Sequence, residues 1–353
     1  MKRDVPTGDL RCPRCDGVLN YVPDRAMCVT CGNSWDVREG ILDFRTVEPY
    51  LYDYEYTPST SRELIANANS LGWRRALRQA HTRFGEEWDE YFYHYNESEE
   101  RAPWADWLLR SAEQPIVLDF GCGLGAITVV LARLGAQVLA CDASFERAQF
   151  TRIRTQQESL DRVTVFCWDG TGDAPIPHDS VDVVLLNGVL EWVPESIRAA
   201  NPWSAQLSVL RALHKVLKPG GRLFLAIENR VALRYLLGTP DHHSELRFAT
   251  LLPRPLASLY SSIVNKRPYR VWTYTLRGYK RLLRDAGYDG VEAYEAFPQY
   301  QYPRRLILLT DAQQLLEIHS AQTGVEQRLL CILAKLGLAP YFVFTYAFVA
   351  AKQ

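Results

Sequence analysis

The chain has no marked excess of charge of either sign: 40 Lys and Arg stand against 41 Asp and Glu in 353 residues, a formal net charge of −1. That balance removes the global attraction by which a nucleic-acid binder gathers phosphates. Long apolar runs are missing too. The most apolar stretch, Leu336–Ala351, is too short to cross a bilayer comfortably and contains Pro340, so a buried terminal strand is expected there. Met1-Lys2-Arg3-Asp4 leads into polar residues without an apolar h-region, which predicts a cytoplasmic protein with no membrane span. Cysteines are sparse outside one cluster, and reduced thiols are the expectation for the scattered four among the eight. Hydrophobic residues are plentiful at 47%. The chain can therefore hold one large α/β domain with a real core, plus a small appendage.

The clustered cysteines form two C-x₂-C knuckles, Cys12-Pro-Arg-Cys15 and Cys28-Val-Thr-Cys31, separated by twelve residues. Each knuckle offers two thiolates from one tight turn, and two such turns complete the tetrahedral sulfur cage that Zn²⁺ accepts. A redox CxxC pair is the competing reading, and two knuckles at this spacing disfavour it. Four protein thiolates leave no open coordination position, so the expected zinc is structural. The expected ribbon spans residues 1–45. Residues 46–110 follow as a helical and aromatic segment, with helices expected over Ser61–Arg83 and Ala102–Arg110. Within it, Glu86–Glu100 carries seven acidic residues and no Lys or Arg. This reads as a solvated face, or as a lid in which Tyr91, Tyr93, His94 or Tyr95 folds over a pocket mouth.

From Ile116 strands and helices alternate regularly. Strands are expected at Ile116–Phe120, Gln137–Cys141, Val163–Cys167, Val181–Leu186 and Arg222–Ile227, and polar residues stand at their C-terminal ends: Asp119, Asp142, Asp169, Asn187 and Glu228. In an open parallel sheet those ends line one crevice, where ligands bind. The turn after the first strand carries Gly121, Gly123 and Gly125, which let backbone approach a ligand while the following helix points free N–H groups at it. Asp142 lies about twenty residues further on, the separation that lets a carboxylate accept from a ribose diol.

These motifs in this order, Val-Leu-Asp119-Phe-Gly121-Cys-Gly123-Leu-Gly125, Asp142, Asp169-Gly170 and the Leu-Lys-Pro-Gly-Gly turn before the fifth strand, resemble a class I S-adenosylmethionine-dependent methyltransferase over roughly residues 100–310. The resemblance implies a doubly wound, mostly parallel, seven-stranded sheet spanning residues 111–353, with an inserted cap at about 238–272. It implies that Gly121 and Gly123 approach the methionine part of the cofactor and that Asp142, followed by Ala143, binds the ribose. Asp169 would accept from the adenine amino group beside Trp168 and Gly170, and Asn187 would line the floor. Asp119 and Gly125 belong to the same turn. Gly121-x-Gly123-x-x-Ala126 also satisfies a looser dinucleotide fingerprint, but Asp119 would repel a pyrophosphate. The N-terminal piece resembles the zinc ribbons that accompany some methyltransferases, here fused.

After the fifth strand the chain resembles bacterial methyltransferases of glycan or secondary-metabolite biosynthesis, which implies a small-molecule, sugar or natural-product acceptor, methylated on oxygen or nitrogen. Candidate general bases are Glu228, the strongest, with His242, His243 and Glu191. Between Thr250 and Arg284 lie eight Lys or Arg and no Asp or Glu, a solvated face or a basic lip for an anionic acceptor. The ribbon also resembles that of ribosomal-RNA methyltransferases, a reading the acidic run opposes. A scaffold with a vestigial cofactor fold is the non-enzymatic alternative. Two segments compete for the last strand, Arg305–Thr310 and Tyr341–Ala350.

Overall fold

The computed structural model describes residues 10–47, 58–82, 93–97, 99–110 and 113–353. Its strands are β1 Leu19–Val22, β2 Arg25–Cys28, β3 Ser34–Arg38, β4 Ile41–Asp43, β5 Ile116–Phe120, β6 Gln137–Asp142, β7 Val163–Cys167, β8 Val181–Asn187, β9 Leu217–Glu228, β10 Asp289–Phe297, β11 Arg305–Leu308 and β12 Thr345–Ala351. They make one 12-stranded sheet in the order β1-β2-β3-β4-β7-β6-β5-β8-β9-β12-β10-β11. The expected seven-stranded sheet is therefore corrected. The ribbon strands continue it at one edge, through a parallel pairing of Leu42 with Phe166, and a hairpin strand extends the other. The parallel character holds from β4 to β9, and both flanks are antiparallel.

The extension has a packing reason. Leu42 and Phe44 are buried and share a core with Phe166, Leu139 and Ile176. Burying each such side chain contributes about 1.5–3 kcal/mol relative to exposure. Both candidate last strands form: β12 is buried over six consecutive residues and slots antiparallel between β9 and β10, while β11 closes the edge. A strand covered on both faces reads as a continuous apolar run.

The two faces of the sheet follow the alternation of its strands. On β5, Leu118 and Phe120 face one core, with Val209 and Leu213 of helix Pro202–Val216 and Leu282 of helix Leu276–Asp285. Val117 faces the other, with Ile127 and Leu131 of helix Ala126–Arg133 and Ala148 of helix Phe145–Gln157. This is the doubly wound arrangement. β5 lies between β6 and β8, so strand order reverses at the glycine turn, the place where open α/β sheets bind ligands.

The expected helix Ser61–Arg83 is two helices, Pro58–Leu71 and Trp73–His81, broken at Gly72 with φ +91°. They cover helix Phe145–Gln157 through Leu64, Leu77, Phe150 and Ile153. Of the acidic run and the aromatic lid reading, residues 86–92, Tyr91 included, and residue 98 lie outside the described residues. Glu97 is not solvated: it is buried and pairs with Arg74 at 3.0 Å and Arg78 at 2.7 Å. Among the described residues no helix is long and apolar enough to cross a membrane.

Candidate active site

Three glycines shape the first turn, and each is required differently. All have positive φ: +79° at Gly121, +57° at Gly123 and +78° at Gly125. A Cβ on Gly121 would stand 2.3 Å from Val189 and one on Gly125 3.0 Å from Thr151, whereas one on Gly123 would meet nothing within 4 Å among the described residues. The first and third satisfy packing, and the middle one exposes backbone to open space. Its N–H donates to Asp142 Oδ2 at 2.9 Å, and Ser144 N–H donates to Asp142 Oδ1 at 2.8 Å. Asp119 lies behind the turn. Its Oδ2 accepts from the Thr128 hydroxyl at 2.6 Å, and burial pushes its carboxyl up to about 6.

The residues expected around adenine are largely engaged with the chain itself. Asp169 Oδ2 accepts from Thr46 N–H at 2.7 Å, Thr46 Oγ1 at 2.9 Å and Val47 N–H at 3.3 Å, while Oδ1 accepts from the Thr171 amide and hydroxyl. The Ala143 carbonyl accepts from Arg45 at 3.2 Å. Thus the segment leaving the ribbon is strapped across Ala143 and Asp169. Trp168 is buried edge-on against Phe120 and donates its indole N–H to Thr171 O at 3.1 Å. Gly170, at φ +83°, has Val209 2.9 Å from where a Cβ would stand, so its glycine answers to the core.

The ends of β8 and β9 are different. Asn187 is buried, and neither amide atom has a hydrogen-bond partner among the described residues. Glu191 is fully buried: its Oε1 accepts from Tyr300 OH at 3.5 Å and its Oε2 has no hydrogen-bond partner among the described residues. Burial pushes this carboxyl up to about 7, against the opposing charge of His243. For Glu228 burial acts upward as well, but His243, with Nε2 at 3.2 Å, outweighs it and holds the carboxyl below the usual range. His243 is correspondingly held above the ordinary histidine range by Glu228, while burial lowers His242. The four candidate bases therefore converge, and their proton affinities are spread apart by their surroundings.

Residues 118–225 match the family model described as a methyltransferase domain. Residues 118–225 thus carry a methyltransferase domain, in line with the resemblance that the motif order carries. The methyltransferase domain is similar to the ubiquinone biosynthesis O-methyltransferase of Xanthomonas campestris pv. campestris (strain B100), 35% identical over 123 residues, 34% of this chain and 46% of that protein. The Xanthomonas oryzae pv. oryzae (strain PXO99A) protein of the same name is 33% identical over 138 residues, 39% of this chain and 52% of its own. The chain thus spans about half the length of the curated relatives it matches. Among solved structures, phosphoethanolamine N-methyltransferase 2 of Haemonchus contortus aligns with a TM-score of 0.47 at 15% identity, over 83% of this chain and 60% of that one.

Beside the methyltransferase domain, the ribbon brings Cys12, Cys15, Cys28 and Cys31 together with all four sulfurs within 4.8 Å of one another. Cys12 and Cys31 are 3.6 Å apart and Cys15 and Cys28 3.4 Å. Tetrahedral bonds of about 2.3 Å imply sulfur separations near ~3.8 Å. Backbone N–H groups of Arg14 and Thr30 point at Cys12 and Cys28, each at 3.4 Å, the outer bonds that orient metal thiolates. The four thiols fit a zinc ion.

Sequence reasoning did not find the Arg45–Val47 strap or Tyr300. Both reach the site across long sequence separations, with no local pattern to mark them. Of the basic lip, Arg254 is turned inward to the carbonyls of Val271 and Thr273, and Arg270 pairs with Glu195, so part of that charge is structural.

Proposed function

We propose that this chain transfers a methyl group from S-adenosylmethionine to an oxygen of a small-molecule acceptor, and that its ribbon holds a structural Zn²⁺. The observation that carries the reading is Gly123, the one glycine of the turn that faces open space, hydrogen-bonded to Asp142. Oxygen is favoured over nitrogen by the O-methyltransferase names of the relatives. The partnerless Asn187 amide and the open volume at Gly123 fit the cofactor, which when bound supplies an activated methyl group. Gly123 would let the ligand approach the backbone, Asp142 would accept from its ribose hydroxyls, and Asn187 would bond it or the acceptor. A sulfonium carries positive charge and no phosphate, so carboxylates at strand ends suit it. The Asp169 carboxylate is committed to the strap, and its part is to hold residues 45–47 over the crevice.

For the proton of the acceptor hydroxyl, Glu191 is the best-placed receiver. Its Oε2 is unpartnered and its proton affinity lies near neutral, whereas Glu228 is tied to His243. General-base assistance is typically worth about 10²–10⁴-fold. Isothermal titration of the zinc-loaded protein with S-adenosylmethionine and S-adenosylhomocysteine should show binding that Gly123→Ala abolishes. Labelled-methyl transfer to hydroxylated acceptors should fall at least a hundredfold in kcat for Glu191→Gln. Binding of neither nucleoside would end the reading, and an unchanged kcat would remove Glu191 from it.

A further inference from the structure

A cluster on the acceptor side is arranged in a way that proton transfer does not require. Glu228 ends β9, and Asp241 and His243 lie in the loop beyond helix Leu233–Leu236. Each offers a ligand atom, and these atoms lie within 4.8 Å of one another. Glu228 and Asp241 are 2% and 1% exposed, yet among the described residues only one oxygen of each carboxylate is hydrogen-bonded. Glu228 Oε2 accepts from Tyr235 OH at 3.2 Å and Asp241 Oδ2 from Ser244 Oγ at 2.7 Å. Among the described residues Glu228 Oε1 and Asp241 Oδ1 are buried without hydrogen-bond partners, with His242 Nε2 standing 4.0 Å from the former. Tyr269 faces Asp241, but its hydroxyl has no partner in hydrogen-bond geometry either. His243 Nε2, 3.2 Å from Glu228, is likewise outside hydrogen-bond geometry.

We propose that Glu228, Asp241 and His243 form a second metal site, one for a catalytic divalent cation distinct from the four-cysteine site. Two buried carboxylates this close repel each other unless something positive stands between them. A divalent cation held by both carboxylates and the His243 ring supplies that charge. The hydroxyls of Tyr235 and Ser244 supply the outer bonds that orient ligating carboxylates, and Trp192 packs edge-on against the His243 ring at 5.0 Å between centroids. The loop is braced for precision: Asp241 N–H donates to Leu246 O at 3.1 Å, Glu245 N–H to Asp241 O at 2.7 Å, and Asn265 Nδ2 to Ser244 O at 2.6 Å.

Two carboxylate oxygens and one imidazole nitrogen suit Mn²⁺, Fe²⁺, Co²⁺ or Zn²⁺. Three protein ligands leave coordination positions open, and His242, with a side chain 41% exposed and Nε2 4.0 Å from Glu228, marks the route to solvent. Resting on the proposed O-methyl transfer, the open position takes the acceptor oxygen. The hydroxyl proton then passes to Glu191 Oε2, the oxygen's electron pair forms the bond to the methyl carbon, and the carbon–sulfur bond breaks to release S-adenosylhomocysteine.

The test uses the full chain loaded with one equivalent of zinc, which the four cysteines take, freed of any further metal by a weak chelator and then titrated with Mn²⁺ under electron paramagnetic resonance, without cofactor or acceptor. Wild type should retain one Mn²⁺ per chain, with histidine-nitrogen modulation in its spin echo. Asp241→Asn and His243→Gln should each weaken retention at least tenfold while melting within a few degrees of wild type. No retained Mn²⁺, no histidine coupling, or equal retention by the folded variants overturns the site; should both variants fail to fold, the wild-type echo decides. Because the readout precedes turnover, an inactive protein that still holds Mn²⁺ counts against the methyl-transfer reading and leaves the metal site standing.

Discussion

The two halves of the crevice use their buried polar atoms in opposite ways. At the ends of β5, β6 and β7, Asp119, Asp142 and Asp169 accept from the chain's own donors, including three bonds from Thr46 and Val47. Around the ends of β8 and β9, Asn187, Glu191, Glu228 and Asp241 all keep buried atoms without hydrogen-bond partners among the described residues. Each buried unpaired group costs about 1–3 kcal/mol. The first half is a finished frame, and the second carries a demand that a ligand or ion would meet. The ribbon accounts for the satisfaction of Asp169, since by extending the sheet beside β7 it delivers residues 46 and 47 to that half, while Asp119 and Asp142 are met by Thr128, Gly123 and Ser144.

If so, the largest change should follow from dismantling the ribbon. Structural zinc is worth about 10–16 kcal/mol in small fingers. Stripping it with a chelator should release the Thr46 and Val47 amides to fast hydrogen exchange while the β8 and β9 amides keep their protection. Unchanged exchange at Thr46 would separate the ribbon from the frame.

A buried pair at the far sheet edge shows what full satisfaction means outside the crevice. His319 Nε2 lies 3.0 Å from Glu295 and Nδ1 3.0 Å from Gln327, and both neighbours present oxygens. Burial opposes its protonation, but these partners hold it above the ordinary histidine value. With the folded value raised, its stabilisation is complete below about 6.5 and is lost as pH rises through the folded value. His319→Leu, which strands Glu295, should cost about 3–5 kcal/mol at pH ~6. The gap to wild type in urea midpoint should narrow at pH ~9.

Asp169→Ala should cost about 3 kcal/mol by orphaning the strap's donors, read as a lower melting temperature. A cost near zero would mean the strap is held elsewhere. The finest contrast lies within the turn. Gly121→Ala should destabilise by about 1–3 kcal/mol through its clash with Val189. Gly123→Ala should cost about 1 kcal/mol, from backbone strain alone, yet lose cofactor binding. Equal melting temperatures would erase the distinction between packing and approach.

Much of the frame was legible in the sequence because it is local. The strands β5, β7 and β8 fall within a residue of their expected bounds, since each is a short apolar run closed by turn residues. The two cysteine knuckles do converge, because each is set by its own tight turn. Gly123 could be named as a point of approach, but not told apart from Gly121 and Gly125: only the packed neighbours Val189 and Thr151 separate them. The same limit applied to the sheet. The sequence by itself determined the alternation of strands and helices, the polar residues at strand ends and the sulfur cage, all products of local periodicity and spacing. Tertiary structure alone decided that the ribbon joins the sheet, that Asp169 is occupied by Thr46, and that Glu191 rather than Glu228 keeps a proton affinity near neutral. Those outcomes depend on burial and on partners 123 or 52 residues away, such as Thr46 for Asp169 and His243 for Glu191, and no local pattern encodes them.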